Sequence, residues 1–264
     1  MTGASAILDT AAGTLPSVSL EELDSVKLLN RIDSKFVTDE TTLVKLLGDA
    51  KSAGYRALKV SGDRIVPYTT VYYDTEGLKM YLDHHNKRLV RQKVRTRIYE
   101  NSGDAFLEIK RKDNHGRTRK KRTPIAADEL MDFTGDGAAC DYLARHSDYT
   151  AGMLSPVLST SFSRITLVNS TMTERLTIDT AVKFRNLRTG RDASLKDAVI
   201  IELKQDGRFA SQMKGILLEH RVKPLRVSKY CIAETLTDPS AKKNRFKEKV
   251  HGIEKIINDK LSVI

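Results

Sequence analysis

The stretch QKVRTRIYENSGDAFLEIKRKDNHGRTRKKR (92–122) limits what this chain can fold into more than any other segment. Apolar and charged residues alternate in it with the two-residue period of a β-strand, and its charged positions are mostly basic. Between residues 86 and 122 there are 14 Lys or Arg against 4 Asp or Glu, whereas the whole chain carries a net charge of +11. Nearly all the excess positive charge is therefore local. Such alternation is ordinarily a solvated face over a core. Here, however, like charges would lie beside like charges on neighbouring strands, which is unfavourable unless an anion sits among them.

The rest of the chain sets wide limits. With 40% hydrophobic residues, 30% charged residues and a mean hydropathy of −0.38, it reads as a soluble globular protein with a sizeable core. No apolar run approaches the roughly 18–20 residues of a membrane span. The N-terminus MTGASAILDTAAG lacks the basic start and apolar stretch of a secretory signal. Cys140 and Cys231 are too few and too far apart for a disulfide framework or a metal-binding pair. A cytoplasmic location follows as the expectation. The sequence pI near 9.5 implies a polyanionic partner without choosing among nucleic acid, an anionic membrane surface, nucleotides and inorganic phosphates.

Read for periodicity, residues 1–20 are small, polar and expected to be poorly ordered. A helix opens at Ser19, with Glu22 completing a capping box, and runs to about Leu29. A strand over 31–38 leads into an amphipathic helix over 39–55, where Leu43, Leu46, Leu47 and Ala50 share a face and Gly54 ends it. Strand 66–74 and a helical turn over 75–89 precede three strands, 90–100, 104–112 and 117–124, separated by Asn-Ser-Gly and Asn-His-Gly turns. A helical region spans 124–147. Four further strands fit 157–168, 172–182, 183–188 and 197–204. A helix over 208–220, a strand or strand–helix junction over 224–234 and a Lys-rich helical tail from 241 complete the chain. Meandering strands with interposed helices predict an α+β fold around an antiparallel sheet, with enough strands to close a barrel.

Separating odd from even positions sharpens the picture. Arg91, Lys93, Arg95, Arg97 and Tyr99 share one strand face, and Phe106, Glu108, Lys110 and Lys112 share another. Arg117, Arg119 and Lys121 fall together on the third strand, and Ile200, Glu202 and Lys204 on a fourth. Glu108 and Glu202 each stand alone in a basic register, both as Glu-x-Lys. A carboxylate suits a divalent cation, and the surrounding Arg and Lys suit phosphate oxygens. If these faces point inward, the barrel interior is a cationic tunnel and the apolar faces lie outside beneath the helices. Such a tunnel fits a long, flexible anion. Tyr72, Tyr73 and Tyr99 read as packing residues, Asp179 as a structural hydrogen-bonding acid, and His84 and His85 as surface residues.

From about Leu28 to Leu236 the chain resembles the VTC domain of the polyphosphate polymerases, within the CYTH-like triphosphate tunnel metalloenzyme superfamily. The carriers, in order, are RIDSKFV (31–37), YYDTEGLKMY (72–81), KVRTRIY (93–99), FLEIKRKDNHGRTRKKR (106–122), SRIT (163–166), ERLTID (174–179), IIELK (200–204) and SKY (228–230). Each is weak alone; eight in order on strands are specific. The resemblance implies a closed antiparallel β-barrel of about eight strands forming a basic tunnel, with helices packed outside. It also implies transfer of the γ-phosphoryl group of ATP onto a growing polyphosphate chain, assisted by Mn²⁺ or Mg²⁺. Lys35, Arg95, Arg97, Lys110, Arg164, Arg175 and Lys229 would then serve the reaction. Arg31, Lys93, Lys112, Arg119, Lys121, Lys204, Arg226 and Ser228 would line the phosphate path, with Lys121 ambiguous among Arg119, Lys120 and Arg122. Glu202 would hold the metal, with Glu108 as a second candidate. The wider superfamily opens with Glu-x-Glu-x-Lys; here Arg31, Asp33 and Lys35 occupy those positions. That departure implies fewer metal ligands and more phosphate binding.

Three regions follow: an N-terminal extension (1–25), the tunnel domain (26–238) and a C-terminal basic helix (239–264). Alternatives to the polymerase are an inorganic triphosphatase of the same fold and a non-catalytic polyanion binder. RNA is disfavoured as a ligand because aromatic residues make up only 6% of the chain and none is Trp, leaving few stacking platforms. The expected partners are ATP and inorganic polyphosphate or triphosphate, with no nucleic acid. The tail helix either packs on the barrel or docks to an anionic membrane or membrane-protein partner at its inner face.

Overall fold

The computed structural model describes residues 3–24 and 31–263. Eight long strands form the body of one antiparallel sheet: β1 (Arg31–Asp39), β2 (Val66–Asp74), β3 (Arg91–Tyr99), β4 (Ala105–Lys112), β5 (Thr118–Ile125), β6 (Ser155–Val168), β7 (Glu174–Asn186) and β8 (Ala198–Asp206). Their spatial order is β1-β8-β7-β6-β2-β3-β4-β5. Short strands at Ser17–Val18, Arg56–Leu58 and Asp192–Ser194 extend its margins. The class is α+β, as expected, and the sheet is strongly curled. The barrel is open, a correction to the closed form: among the described residues no ladder joins β5 to β1. Both edges carry cations, Lys120 and Arg122 on β5 and Arg31 and Lys35 on β1, and like charges facing across a seam oppose closure.

The helices are α1 (Gly3–Gly13), α2 (Leu20–Asp24), α3 (Glu40–Ser52), α4 (Lys79–His85), α5 (Gly137–His146), α6 (Gln212–Glu219), α7 (Lys229–Thr237) and α8 (Asn244–Ile257). The expected disorder of residues 1–20 is corrected by α1, where Leu8 and Ala12, with Leu15 just beyond, are buried in one cluster with α3. The Ser19–Glu22 capping box forms: the Ser19 amide donates to the Glu22 carboxylate at 2.8 Å and the Glu22 amide to Ser19 Oγ at 3.2 Å. The continuation of that helix to Leu29 falls outside the described residues. On α3 the Asp39 carboxylate caps Thr42 at 2.8 Å, and Leu43, Leu46, Leu47 and Ala50 are buried as their spacing requires.

The convex side of the sheet is the apolar one. Phe36, Ile165, Leu167, Ile178, Val199 and Leu203 pack beneath α1, α3 and α6. Val71, Val94, Leu107 and Ile109 pack against Phe133 and α5. The expected break between strands 172–182 and 183–188 is a bulge inside the continuous β7, with Ala181 at φ +49° and the register against β6 shifting there. Residues 224–228 make only a bridge from Pro224 to Phe36 before α7 begins, so that segment is a junction into a helix.

One end of the concave side is filled. Tyr230 of α7 stacks on Tyr72 with centroids 5.1 Å apart and donates its hydroxyl to Asp74 at 2.6 Å. Asp74 also accepts from the Met80 and Tyr81 amides, each at 2.9 Å, which fixes the start of α4. Phe246 and Ile253 of α8 are buried in the same cluster, so the packing alternative accounts for the apolar residues of the tail helix. Among the described residues no helix is long and apolar enough to cross a membrane.

Candidate functional site

Among the described residues, three carboxylates of the concave face, Glu108, Asp179 and Glu202, are each gripped by two cations. Glu108 of β4 is opposite Arg95 of β3 in register and fully buried. It accepts from Arg95 Nε at 2.7 Å and, through its other oxygen, from Lys120 Nζ at 2.7 Å. Asp179 of β7, opposite Arg164 of β6, accepts that guanidinium bidentately at 2.6 and 2.8 Å and is also bonded by the Lys229 ammonium. Glu202 of β8, opposite Lys35 of β1, has Lys204 Nζ at 3.1 Å and Lys35 Nζ at 3.7 Å. Burial alone would raise all three carboxyl pKa values. The cations outweigh it: Arg95, Arg97 and Lys120 hold Glu108 far below the usual range, Arg164 and Lys229 do so for Asp179, and Lys35, Lys204 and Lys110 for Glu202.

More cations share this face than three carboxylates neutralise. Arg97 is buried and donates to Thr70 at 2.9 Å; burial and the neighbouring Arg95 push it down to about 10. Lys93 donates to Ser228 Oγ at 2.8 Å, and burial lowers its pKa. Lys110, opposite Lys93 and Lys120, is pushed well below the ordinary lysine value, first by Arg95 and then by burial. A row of crowded, partly desolvated cations on a preorganised sheet would be relieved by a multivalent anion lying along it.

The remaining expected residues fall as follows. Arg175 shares the inner face of β7 and is in register with Lys204. Ser228 caps α7, accepting from the Cys231 amide at 3.4 Å, which sets Lys229 at the start of that helix. Lys112 lies toward the end of β4 opposite Arg91, Arg31 is an exposed partner of Asp33 at 2.7 Å, and Arg226 is exposed on the junction before α7. Arg119 and Lys121 are not brought to this face. The five-residue loop after Lys112 sets the parity of β5, so Lys120 pairs with Lys110 and Arg122 with Glu108. Arg119 then faces Arg111, and Lys121 lies 3.4 Å from His146 on the outer side.

Lys120, Arg122 and Asp179 are thus on the face where sequence reasoning did not put them. For Asp179 the signal was its shared parity with Arg175; for β5 it was the loop length. His84 and His85 are corrected from surface residues to packed ones, since α4 packs on α7 and both rings meet Phe246 of α8 edge-on. His85 is buried, with Asn244 Oδ1 at 2.7 Å, while His84 Nδ1 lies 3.1 Å from the Cys231 sulfur and burial plus Lys93 push its pKa down to about 2.

A divalent cation has a narrow place here. Among the described residues no three His, Cys, Asp or Glu come together as a ready cage. Both oxygens of Glu108 are engaged by Arg95 and Lys120, so it fits a counter-ion better than a ligand. The Glu202 side chain is 24% exposed with a looser contact to Lys35, and one carboxylate supplemented by phosphate oxygens and water is a familiar Mg²⁺ arrangement.

The chain is thus a curled antiparallel sheet with its apolar core outside and a cationic concave face. The family model for the VTC domain matches residues 30–237, and the chain belongs to that family. No curated protein sequence matches the chain. Among solved structures it is similar to a Bacillus halodurans protein described as a candidate adenylate cyclase, at 12% identity and TM-score 0.49, covering 83% of this chain and 100% of that one. It is also similar to a candidate adenylyl cyclase from Hippeastrum described as having a dominant triphosphatase activity, at 13% identity and TM-score 0.49, covering 78% and 95%. A Pyrococcus horikoshii protein aligns at 10% identity and TM-score 0.42, covering 77% and 98%.

Proposed function

We propose that the concave face transfers the γ-phosphoryl group of ATP to the end of an inorganic polyphosphate chain. The observation that carries this reading is the charge state of three carboxylates on the face: Glu108, Asp179 and Glu202 are ion-paired anions of depressed pKa, amid surplus Arg and Lys. Such carboxylates are poor general bases. A water acceptor must lose a proton, whereas a terminal phosphate, with a second pKa of about 6, is already largely ionised near neutrality. Phosphoryl transfer to phosphate asks for positioning and neutralisation, which is what this face offers.

In the step, a terminal oxygen of the chain bonds to Pγ while the bond from Pγ to the β,γ-bridging oxygen breaks. ADP leaves with that oxygen, and no proton need be removed. Arg95, Arg97 and Lys110 would neutralise the transferring group from β3 and β4. Lys35, Arg164, Arg175 and Lys229 would hold the flanking phosphates from the opposite wall. Glu202 would hold Mn²⁺ or Mg²⁺ together with phosphate oxygens, and the ion when bound neutralises charge on the triphosphate.

The test is ATP with Mn²⁺ and purified protein, resolved on a gel stained for polyphosphate. The wild type should give lengthening chains, and Arg97→Ala should reduce synthesis by at least about a hundredfold while remaining folded, as loss of a preorganised charge donor does. Wild-type synthesis by Arg97→Ala removes the face from the mechanism.

A further inference from the structure

Beyond Glu108, the inner face of β4 ends on Phe106, an aromatic side chain where the rest of the row is charged. Four residues of strand place Phe106 roughly 13 Å along the face from Lys110. Its half-buried ring lies under the exposed Arg122 guanidinium, 4.4 Å from the ring centroid. Tyr99 meets the same ring edge-on at 5.8 Å and accepts from Arg122 Nη1 at 3.4 Å. Tyr99 itself rests on Tyr68 at 4.9 Å, so it braces Phe106 from behind. The deeper rings, Tyr68 and Phe162, are buried and already faced by Arg97 and Arg164 at 5.0–5.7 Å. Phe106 and Tyr99 are half-buried and Arg122 above them is exposed, so this outer part of the cluster is the one solvent reaches.

The geometry points to a nucleobase subsite at Phe106 and Arg122, which takes the base of a nucleoside triphosphate whose phosphates run from beside Arg97, the residue opposite Phe106 in register, past Arg95 toward Lys110. An aromatic face and a planar guanidinium on a mobile stem are the two surfaces on which a base stacks, with little demand on its identity. The separation of Phe106 from Lys110 leaves room for ribose and an extended triphosphate between them. One platform suits one base, in keeping with a mononucleotide donor rather than a single-stranded nucleic acid with successive stacked bases. The inference rests on the reading of ATP as donor and adds where the nucleoside sits.

Calorimetric titration of the full chain tests it with three probes: ATP, ribose 5-triphosphate and inorganic tripolyphosphate. The wild type should bind ATP about tenfold more tightly than ribose 5-triphosphate, the size expected of one stacked base. Phe106→Leu keeps apolar bulk without a π face. It should weaken ATP about tenfold while shifting tripolyphosphate by less than about twofold, and Arg122→Gln should act in the same direction. Equal losses for ATP and tripolyphosphate in Phe106→Leu, no loss for either, equal wild-type affinity for ATP and ribose 5-triphosphate, or no binding of ATP would each overturn the subsite. A confirmed base preference without chain growth would remove only the polymerase reading.

Discussion

Lys110 lies between two rows of cations, and its environment leaves a measurable trace. Arg95 and burial push its pKa well below the ordinary 10.5, so its ammonium is lost at a lower pH than that of an exposed lysine. Binding a polyanion favours the charged form. Affinity for tripolyphosphate should therefore fall as pH rises, earlier than ordinary lysine titration would cause. Lys110→Arg keeps its charge over that range and should flatten the alkaline limb of a calorimetric pH profile. An unchanged limb in the variant would assign the fall to another group. At Glu202 the expectation concerns charge and metal together. Glu202→Gln preserves shape but leaves Lys35 and Lys204 without their shared counter-ion. Polyphosphate synthesis should collapse and excess Mn²⁺ should restore it only in part. Full activity without added metal would make Glu202 a structural residue.

At the scale of elements, α8 is a packed strut. Phe246 is 4% exposed and Ile253 fully buried, so Phe246→Ala should cost about 3–5 kcal/mol in urea unfolding. A cost near zero would return the helix to the surface-docking alternative. Gly252 faces Leu225, and an added Cβ would meet Leu225 Cδ2 at 3.5 Å, an ordinary contact. Gly252→Ala should then stabilise the protein by up to about 1 kcal/mol through helix propensity. The elements also show where sequence reading holds and where it stops. The buried face of α3 and the inner rows of β3 and β4 were legible because period and parity are local properties of a segment. The parity of β5 was not, because it depends on how Asp113–Arg117 closes the hairpin, with the Asp113 amide bonded to the Arg117 carbonyl at 2.9 Å and Gly116 at φ +81°. A one-residue difference there exchanges Lys121 for Lys120. The bulge at Ala181 likewise imitated a turn in sequence while the ladder continued on either side.

For the whole molecule, the organising fact is an inverted sheet with apolar residues on its convex side and a crowded cationic surface within its curl. That inversion was readable from like charges that no solvated face would place side by side. Whether β5 meets β1 was not, since closure depends on repulsion between edges that are distant in sequence. The three carboxylates make the concave face a strongly held but undercompensated array, suited to an anion that runs its length. The most direct test of the account is a ³¹P NMR time course of ATP with Mn²⁺ and the full chain, which follows every phosphorus at once. The γ signal should pass into the internal-phosphate resonance of a growing chain as ADP accumulates, with orthophosphate remaining a minor species. ADP matched one for one by orthophosphate, with no internal-phosphate signal, would contradict chain extension and make the same face a hydrolase.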